Sequence, residues 1–536
     1  MTGATVTPFQ TSKDRMKVLF VEPSFVEIHA DDAIFPFGYA CLGAVLQREG
    51  HQVEYLLPSV KRLDLQQVVE IVAATDARLI AIGGLTAYFN LITELVSRIK
   101  ALRNDLLVVL GGPMVTYMPE LALKRSSADF CVVGEGEKAL LKLVDALERG
   151  TSLETITGLI YPSNGKVINN GFGEMMPFEE MPMPNWDDFP MDFYLYSGWY
   201  LPSWSRSNKT KVFAWMLSRG CPMKCNFCAS GCEPRYKSID LAVRELDQIV
   251  EKFDPDYLLF ADNFLMREKN YISELCHAII ARGFRFKFSV TCRVNVVDDT
   301  LLALMRRAGC EMIFYGLECA NDQILKFMRK GITVNQAVNA IELTKKAGIY
   351  PMVSIMFGQP AETLDDFYNS IKIALSTTIP ADPVPNIASV MQLITFPGTG
   401  IFRHARETGL FSDDEDYWNK YGNDFIISYT GYNKQQVQKF VDKGNMLLRW
   451  KYHQSMADKL LLDFKEGTTR SSAFRNKVKL FFKNNPRILK ACSLLLGKER
   501  IAMVERFSEH DDAQSKFISR CVSGIVKTHN RFRSGE

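Results

Sequence analysis

Three cysteines stand close together near the middle of the chain, where the sequence from Arg219 to Cys228 reads RGCPMKCNFC. Cys221, Cys225 and Cys228 directly follow a predicted strand, which argues against a chance grouping. Iron–sulfur clusters are held by cysteine thiolates, commonly four. A zinc site needs two close cysteine pairs, or a cysteine pair with a histidine pair, and no second pair follows at zinc spacing. Three thiolates on one loop therefore indicate a cluster that keeps one metal position open for a substrate.

Cys232 lies four residues after Cys228 and has two interpretations. It is a bystander, or it is a fourth ligand, which would close the open metal position. The chain has twelve cysteines, and those outside this segment are scattered. A disulfide framework is not expected, because the chain is long and the segment from Met1 to Arg15 lacks the apolar core of a signal peptide.

The elements around the cysteines predict a parallel barrel or partial barrel over residues 206–410. From about Lys211, six short apolar runs alternate with helical stretches, and six βα units are typical of a TIM-type (β/α)6 arrangement. Catalysis in such barrels takes place at the C-terminal ends of the strands. The predicted strands are Val212–Leu217, Tyr257–Ala261, Lys287–Val290, Met312–Tyr315, Met352–Phe357 and Ala388–Leu393.

Residues 1–150 show the same alternation and predict a Rossmann-like, doubly wound parallel sheet. In such sheets, ligands bind beyond the carboxyl ends of the strands. Three of those ends are rich in glycine, at Gly83-Gly84, at Gly111-Gly112 and at Gly134, and glycine lets the backbone approach a phosphate or nucleotide tail. The predicted strands are Lys17–Val21, Val53–Leu57, Leu79–Ile82, Leu106–Leu110 and Phe130–Val133.

The two remaining regions lack this alternation. Residues 151–205 are rich in proline, methionine, asparagine and aromatic residues, which predicts a linker lying across a surface. Residues 411–536 lose the strand pattern and predict an α-helical C-terminal domain. Its helices are expected at Lys434–Leu448, Lys451–Phe464 and Asn476–Leu489.

The central region resembles the radical SAM superfamily, whose pattern C-x-x-x-C-x-x-C with an aromatic residue before the last cysteine is matched by the three cysteines and Phe227. The resemblance implies a 4Fe–4S cluster whose fourth iron chelates S-adenosylmethionine (SAM). Further matches stand in the family's order at predicted strand ends. The resemblance implies that Asp262, Arg293 and Glu318 contact SAM; ordinary ion-paired or structural roles are the alternative. The late matches are Gly358–Thr363, with Ala361 where glycine is usual, and Phe396–Thr399.

The N-terminal region is similar to the cobalamin-binding domain that precedes many radical SAM domains. The matching stretches are Pro36–Leu46 with Gly50-His51, Val109–Pro113 and Gly134–Glu137. The D-x-H-x-x-G motif that supplies a cobalt-ligating histidine elsewhere is absent, so the ligands of cobalt stay open, and His51 is interpreted as a cap or surface residue. A relic domain that binds nothing is the alternative. The residues that this resemblance places near cobalamin are Gly83, Thr86, Gly111, Gly112, Gly134 and Glu135.

Taken together, the two resemblances imply a cobalamin-dependent radical SAM methyltransferase. Such an enzyme makes a 5′-deoxyadenosyl radical, and a methyl group passes from methylcobalamin to an unactivated carbon of the substrate. A non-methylating oxidative cyclase or rearrangement enzyme of the same architecture is the alternative, and a cobalamin or redox sensor is a distant one. Methylthiotransfer is disfavoured, because only Cys41 and Cys131 precede Cys221 and a second cluster needs more ligands.

Composition limits the setting and the partners. With 47% hydrophobic and 23% charged residues, the chain is expected to fold as a soluble, cytoplasmic protein. A net charge of +3 does not by itself indicate a nucleic-acid-binding protein. Residues 471–536 hold 14 Lys and Arg against 6 Asp and Glu, which indicates either packing on the barrel or peripheral contact with an anionic membrane. The expected partners are a small-molecule or lipid substrate and an electron donor such as flavodoxin or ferredoxin.

Overall fold

The computed structural model describes residues 15–24, 35–196, 210–229, 233–263, 265, 269–376 and 388–448. Cys232, the predicted helices Lys451–Phe464 and Asn476–Leu489, and the basic C-terminal segment lie outside the described residues. Among the described residues, no helix combines the length and the apolar character that crossing a bilayer requires.

The first sheet has seven strands in the order β2-β1-β3-β4-β5-β6-β7. Strands β1 to β5 pair in parallel, as predicted, and helices connect them. The strands are β1 (Lys17–Val21), β2 (Gln52–Leu56), β3 (Leu79–Gly83), β4 (Leu107–Gly111), β5 (Phe130–Val132), β6 (Leu159–Ser163) and β7 (Lys166–Asn169). The helices are α1 (Phe37–Arg48), α2 (Pro58–Lys61), α3 (Leu65–Ala73), α4 (Phe89–Leu102), α5 (Pro113–Thr116), α6 (Pro119–Ser126) and α7 (Glu137–Arg149).

The central strands of this sheet are buried on both faces. Val18, Leu79, Ile80, Val108 and Leu110 have no exposed surface, because helices cover the sheet on each side. A parallel strand in this position is apolar along its whole length rather than at every second residue. That continuous pattern is the reason that the sequence predicts β1, β3 and β4 to within about one residue.

Residues 159–169 form a hairpin that the linker prediction for residues 151–205 did not include. Strand β6 pairs antiparallel with β5 and with β7, so this part of the expected linker extends the first sheet. Asn164 and Gly165 make the turn with positive φ angles of 49° and 75°. An Asn-Gly pair is the preferred sequence for such a two-residue turn, and it was the overlooked signal.

The second sheet is a six-stranded half-barrel in the order β15-β14-β13-β12-β11-β8, and every pairing is parallel. This confirms the predicted partial barrel. The strands of this half of the chain, with a short hairpin between the first two, are β8 (Val212–Trp215), β9 (Ser218–Arg219), β10 (Arg235–Tyr236), β11 (Tyr257–Phe260), β12 (Lys287–Cys292), β13 (Cys310–Glu318), β14 (Tyr350–Phe357) and β15 (Ala388–Gln392).

Helices accompany the half-barrel and follow it. They are α8 (Met191–Leu195), α9 (Ile239–Phe253), α10 (Lys269–Arg282), α11 (Asp299–Arg307), α12 (Asp322–Phe327), α13 (Val334–Lys346), α14 (Leu364–Ser376), α15 (Gly400–Glu407) and α16 (Asp414–Tyr421). The predicted helix Lys434–Leu448 is helical throughout. Helix α16 packs on the first sheet's helices, where the rings of Phe89 and Trp418 lie 4.4 Å apart.

Aromatic side chains from residues 151–196 fill the space between the two sheets. Trp186 contacts Phe35, which precedes α1, at a centroid distance of 5.5 Å. It also contacts Phe213 and Trp215 of β8, at 5.2 and 5.4 Å. Aromatic pairs at these distances add about 0.5–1.5 kcal/mol beyond the area that they bury. The segment therefore joins the first sheet to the barrel as a packed layer.

Candidate active site

A short hairpin stem carries the cysteine loop. Strand β9 pairs antiparallel with β10, through Arg219 with Arg235 and Ser218 with Tyr236. The loop between the two strands contains Cys221 and the two other cysteines of the motif. Whatever holds this stem therefore sets the position of all three thiols at the C-terminal end of β8.

The three cysteines line one cavity of about 670 Å³ at the C-terminal ends of the barrel strands. Cys221 and Cys225 are half-buried and Cys228 is exposed. Burial raises the pKa of Cys221 and of Cys225, and the positive charges of Lys330 and Arg293 act in the opposite direction. Three thiols beside two cations form a donor set that fits a thiolate-ligated iron–sulfur cluster.

Asn226 anchors the middle of the cysteine loop. Its backbone N–H donates to the carbonyl of Met328 at 2.9 Å, and its side-chain amide donates to the carbonyl of Phe327 at 3.0 Å. Its own carbonyl accepts from the N–H of Ile401 at 2.7 Å. A Cβ on Gly400 would lie 2.9 Å from Asn226, so the start of α15 approaches the loop closely because residue 400 is glycine. The loop is thus fixed to the end of α12 and to the start of α15.

Glu318 reaches the cavity through an irregular end of β13. The register with β14 shifts between Gly316 and Glu318, and Glu318 has a positive φ of 64°, which is uncommon for any residue other than glycine. Its buried carboxylate pairs at 2.7 Å with Lys330, whose side chain is partly buried. A Cβ on Gly316 would overlap this ion pair. The Gly-Leu-Glu motif therefore provides a bend that aims Glu318 and the space that its ion pair needs.

Arg293 joins two sides of the cavity. Its guanidinium donates to the sulfur of Met223 on the cysteine loop and to the carbonyls of Lys330 and Gly331. The ammonium of Lys330 in turn lies 5.5 Å from the ring centroid of Phe227, a cation–π contact. Beside the cysteines the cavity is thus lined by two cations, Arg293 and Lys330, and by the carboxylate of Glu318, charges that suit the amino and carboxylate groups of an amino acid.

Asp262 lies at the end of β11 and is buried, with 3% of its surface exposed. Its Oδ1 accepts hydrogen bonds from the backbone N–H groups of Leu217 and Ser218 and from the Ser218 hydroxyl. Burial raises the pKa of Asp262 to about 6, and these hydrogen bonds oppose the shift. Its Oδ2 is buried and has no hydrogen-bond partner among the described residues. Asp262 therefore holds the cysteine stem with one oxygen and has a second one to offer to a ligand.

The structure brings together seven of the residues that the sequence singled out. They line the same cavity and are Cys221, Cys225, Phe227, Cys228, Asp262, Arg293 and Glu318. The six residues expected near cobalamin are not among the lining residues of this cavity. Five of the six lie at or just beyond the carboxyl ends of the parallel strands of the first sheet, and we call this surface the glycine-rich edge. They are Gly83, Thr86, Gly111, Gly112 and Gly134.

The glycine-rich edge has free space beside Gly111 and close backbone packing at Gly112. A Cβ on Gly111 would meet no atom of the described residues within 4 Å, whereas one on Gly112, where φ is 81°, would lie 3.4 Å from the backbone of Gly84. The Thr116 hydroxyl donates to the Gly112 carbonyl at 3.0 Å and accepts from the Gly134 N–H at 3.4 Å. This open strand-end surface, without side chains at Gly111 and Gly112, fits the close approach of a large cofactor.

Two loops of this edge reach the cysteine loop. The carboxylate of Glu135 pairs with Arg235 at 2.5 Å and with Arg219 at 3.2 Å. Tyr117, which follows α5, donates its hydroxyl to the carbonyl of Ala229, the residue after Cys228. The structure therefore places Glu135 in an ion-pair cluster; contact between Glu135 and cobalamin stays a prediction.

Four residues of this site were not assigned a role from the sequence: Lys330, Asn226, Arg219 and Tyr117. Asn226 and Arg219 lie within or beside the cysteine motif, so their position was the available signal. Lys330 lies between Arg329 and Gly331, which both have positive φ, in a turn that returns to the cavity. Nothing in the sequence near Tyr117 indicates a contact with a residue 112 positions away.

Comparisons with known families agree with this division of the chain. The family model described as "B12 binding domain" matches residues 24–144. The model described as "Radical SAM superfamily" matches residues 215–374. The first match covers the glycine-rich edge, and the second covers the cysteine loop and most of the half-barrel.

Two relatives and one solved structure resemble most of the chain. An uncharacterized methyltransferase of Pyrococcus horikoshii is 28% identical over 80% of this chain and 91% of its own length. The anaerobic magnesium-protoporphyrin IX monomethyl ester cyclase of Rubrivivax gelatinosus is 25% identical over 75% of this chain and 72% of its own. The radical S-adenosylmethionine methyltransferase TsrM of Kitasatospora setae, solved with cobalamin and a [4Fe–4S] cluster, has a TM-score of 0.60 at 19% identity, covering 75% of this chain and 76% of that one.

The half-barrel, the three-cysteine loop and the matched family define a radical SAM enzyme. The chain belongs to those radical SAM enzymes that carry an N-terminal B12-binding domain. The cofactors of this class are a 4Fe–4S cluster, S-adenosylmethionine and cobalamin. The residues of this chain described above fit the first two in the cavity and the third at the glycine-rich edge.

Proposed function

We propose that this chain is a cobalamin-dependent radical SAM methyltransferase that methylates an unactivated carbon of a small molecule. The contact between the two domains carries the proposal: Glu135 pairs with Arg219 at 3.2 Å, and Tyr117 hydrogen-bonds Ala229. A methyl group carried on one domain and a radical generated on the other can meet only if their strand-end loops adjoin. The methyltransferase relative from Pyrococcus horikoshii supports the proposal.

Each group in the cavity has a proposed role. Cys221, Cys225 and Cys228 hold the cluster, and Glu318 and Lys330 receive the amino and carboxylate groups of SAM. When bound, the cluster supplies the electron that cleaves SAM, and cobalamin carries the methyl group. The chain's own contribution is to hold the loop, to orient SAM by charge and to present the glycine-rich edge to cobalamin.

Part of the cavity lining is apolar, which supports a reaction sheltered from water. This part comes from the chain at and just before the start of α1 and from α8, namely Phe35, Phe37, Met191, Tyr194 and Leu195. Excluding water protects a radical from side reactions. Within the part of the chain that the structure describes, the buried Tyr194 hydroxyl has no hydrogen-bond partner, so we propose that it bonds a polar group of the substrate. A volume of about 670 Å³ is in the range of small-molecule sites.

Further parts of the proposal concern the setting. The domain boundaries 1–150, 151–205, 206–410 and 411–536 are proposed, with the hairpin at residues 159–169 assigned to the first sheet. The cytoplasmic setting and the flavodoxin or ferredoxin donor are proposed as well; the exposure of Cys228 supports access for a donor. Peripheral membrane contact depends on the basic segment at residues 471–536 and stays a prediction.

The test is incubation of the reduced, anaerobic enzyme with SAM labelled at its methyl group and with candidate substrates. Label in a product that is heavier by one methylene supports the proposal. Formation of 5′-deoxyadenosine without any labelled product contradicts methylation and leaves radical chemistry intact. Cys225→Ala is expected to abolish both products, and Cys276→Ala, in the buried face of α10, is the matched control that keeps them.

An oxidative cyclase or rearrangement enzyme is the second candidate. The relative from Rubrivivax gelatinosus, which is named a cyclase and aligns with 75% of this chain, favours it. The same incubation separates the two reactions by product mass. Loss of hydrogen or gain of oxygen in the product would support oxidation, whereas a gain of one methylene supports methyl transfer.

A further inference from the structure

A cluster of four charges, one buried and three partly buried, joins the first sheet to the stem of the cysteine loop. Arg219 donates to Glu137 at 2.7 Å and to Glu135 at 3.2 Å, and Arg235 donates to Glu135 at 2.5 Å. The side chains are between 5% and 21% exposed. Ion pairs this far from water are screened much less than pairs at the surface, and they hold a more defined geometry.

The two carboxylates belong to the loop after β5 that contains Gly134. Glu137 is the first residue of α7, where the N-terminal end of a helix favours a negative charge. The Gly134 N–H donates a hydrogen bond to the Thr116 hydroxyl, which in turn donates to the Gly112 carbonyl. The carboxylates are therefore continuous with the glycine-rich edge, the surface proposed to receive cobalamin.

The two arginines belong to the two strands of the stem. Arg219 precedes Cys221 by two residues, and Arg235 ends the loop that contains all three cysteines. Asp262 holds the neighbouring Ser218 from the barrel side. The stem is thus fixed by one carboxylate of the barrel and by two carboxylates of the other domain, and the cysteine loop has little freedom to move independently of either domain.

The charges around Arg219 indicate what its removal would do to the stem of the cysteine loop. Burial works against the charge of Arg219, but Glu137, Cys41 and Glu135 outweigh it and raise the pKa of the guanidinium. A neutral residue at position 219 would leave Glu137 buried without its partner, and an uncompensated buried charge is costly. The stem would then shift or take up water at this point.

We propose that Arg219 is a positioning residue: through Glu135 and Glu137 it fixes the cysteine loop to the cobalamin-side loop and so sets the distance between the cluster and cobalamin. This inference rests on the proposed function, because that function needs the two cofactors at one substrate. Arg219 is not a lining residue of the cavity; it acts through Glu135 and Glu137 on the loop after β5.

The experiment measures that distance. In the reduced enzyme loaded with both cofactors, the cluster and cob(II)alamin each carry an unpaired electron, and pulsed dipolar electron paramagnetic resonance gives their separation. The wild-type chain is expected to show one narrow distribution. Arg219→Gln and Glu137→Gln, which remove one charge from opposite sides of the contact, are each expected to broaden or displace it. Arg219→Lys keeps the charge without the planar arrangement of donors, and its distance distribution is expected to lie between those of the wild type and Arg219→Gln.

The same variants are also expected to uncouple SAM cleavage from methyl transfer. The ratio of 5′-deoxyadenosine to methylated product is expected to rise at least tenfold in Arg219→Gln, with SAM cleavage reduced less than methyl transfer. The double variant is expected to be little worse than either single variant, because both remove the same contact. Arg282→Gln, which breaks an exposed ion pair with Asp247 between α10 and α9, is the matched control and should leave distance and ratio unchanged.

Two failures are distinguishable. An unchanged distance distribution in the cofactor-loaded fractions of both Arg219→Gln and Glu137→Gln overturns the inference, whatever the product is. If Arg219→Gln does not load its cluster, Glu137→Gln, whose change lies in the other domain, decides alone. A wild-type enzyme that makes no methylated product contradicts the proposed function, and the distance measurement still decides whether Arg219 positions the loop.

Discussion

The ammonium of Lys330 lies 2.7 Å from the carboxylate of Glu318, and both residues line the cavity, Glu318 buried and Lys330 partly buried. Glu318 ends β13, whereas Lys330 lies in the turn between α12 and α13. The same ammonium faces the ring of Phe227 within the cysteine motif. One cation therefore connects the carboxylate proposed to bind SAM with the loop proposed to bind the cluster, and several predictions can be built on this pair.

Removing Lys330 is expected to destabilise the protein and weaken SAM binding. Lys330→Met leaves the buried Glu318 carboxylate without its cation and, among the described residues, with only the Ser354 hydroxyl as a donor, at 3.4 Å, which costs about 3 kcal/mol in the free energy of unfolding. Urea unfolding under anaerobic conditions measures this loss, and equilibrium dialysis measures SAM. The double variant Lys330→Met/Glu318→Gln is expected to lose less than the sum of the two single variants, since it leaves no unpaired charge. Strict additivity would show that the pair is not coupled.

Gly316 is expected to be required because of the same ion pair. A Cβ at this position would overlap both Glu318 and Lys330, so Gly316→Ala must displace them. We expect SAM cleavage to fall at least tenfold, equivalent to about 1.4 kcal/mol in the barrier, in an assay of 5′-deoxyadenosine release. Gly431→Ala is the matched control, because a Cβ there would meet no atom within 4 Å in the described ranges of the chain. Equal rates in the two variants would contradict the prediction.

The fold was largely predictable because its strands carry local patterns. Strand β1 begins at Lys17 and ends at Val21 as expected, since a doubly buried parallel strand is a continuous apolar run. The hairpin at residues 159–169 was missed because its strands are short and partly exposed, with Val167 42% exposed. There the Asn164-Gly165 turn was a better signal than hydrophobicity.

The site was predictable only in part, for a different physical reason. Glu318 was found through a local motif, and its partner Lys330 is twelve residues away. The partners of Arg219 are 82 and 84 residues away, on a loop of the other domain. No pattern within a sequence window reports which charges meet when two domains pack. The sequence therefore assigned Glu135 to a cofactor on its motif alone, whereas the structure adds an ion-pair role.

Asp262 is expected to make stability depend on pH. Its folded pKa is about 6, against an ordinary value of 3.8, so the folded state holds the proton more tightly than the unfolded chain does. The stability that this gives is present at low pH and is lost as the pH rises through 6. Between pH 5 and pH 7 the loss is about 1 kcal/mol.

The measurement for Asp262 compares two urea-unfolding series across this pH range. Asp262→Asn keeps an oxygen that accepts from the Leu217 and Ser218 N–H groups but carries no charge. The wild type is therefore expected to lose stability relative to Asp262→Asn as the pH rises from 5 to 7. A constant difference between the two proteins would show that the carboxyl of Asp262 does not titrate in this window.

Asn226 is expected to determine how long the cluster survives. Asn226→Ala removes the hydrogen bond from the side-chain amide to the Phe327 carbonyl, a loss of about 1 kcal/mol, and leaves the middle of the cysteine loop held to the end of α12 only by the backbone bond to Met328. All three cysteines stay in place, so iron is expected to load and then to be lost several-fold faster on exposure to air, as followed by visible absorbance. Asn369→Ala, on the exposed face of α14, is the control. Equal rates of cluster loss in the two variants would mean that the backbone contacts to Met328 and Ile401 hold the loop unaided.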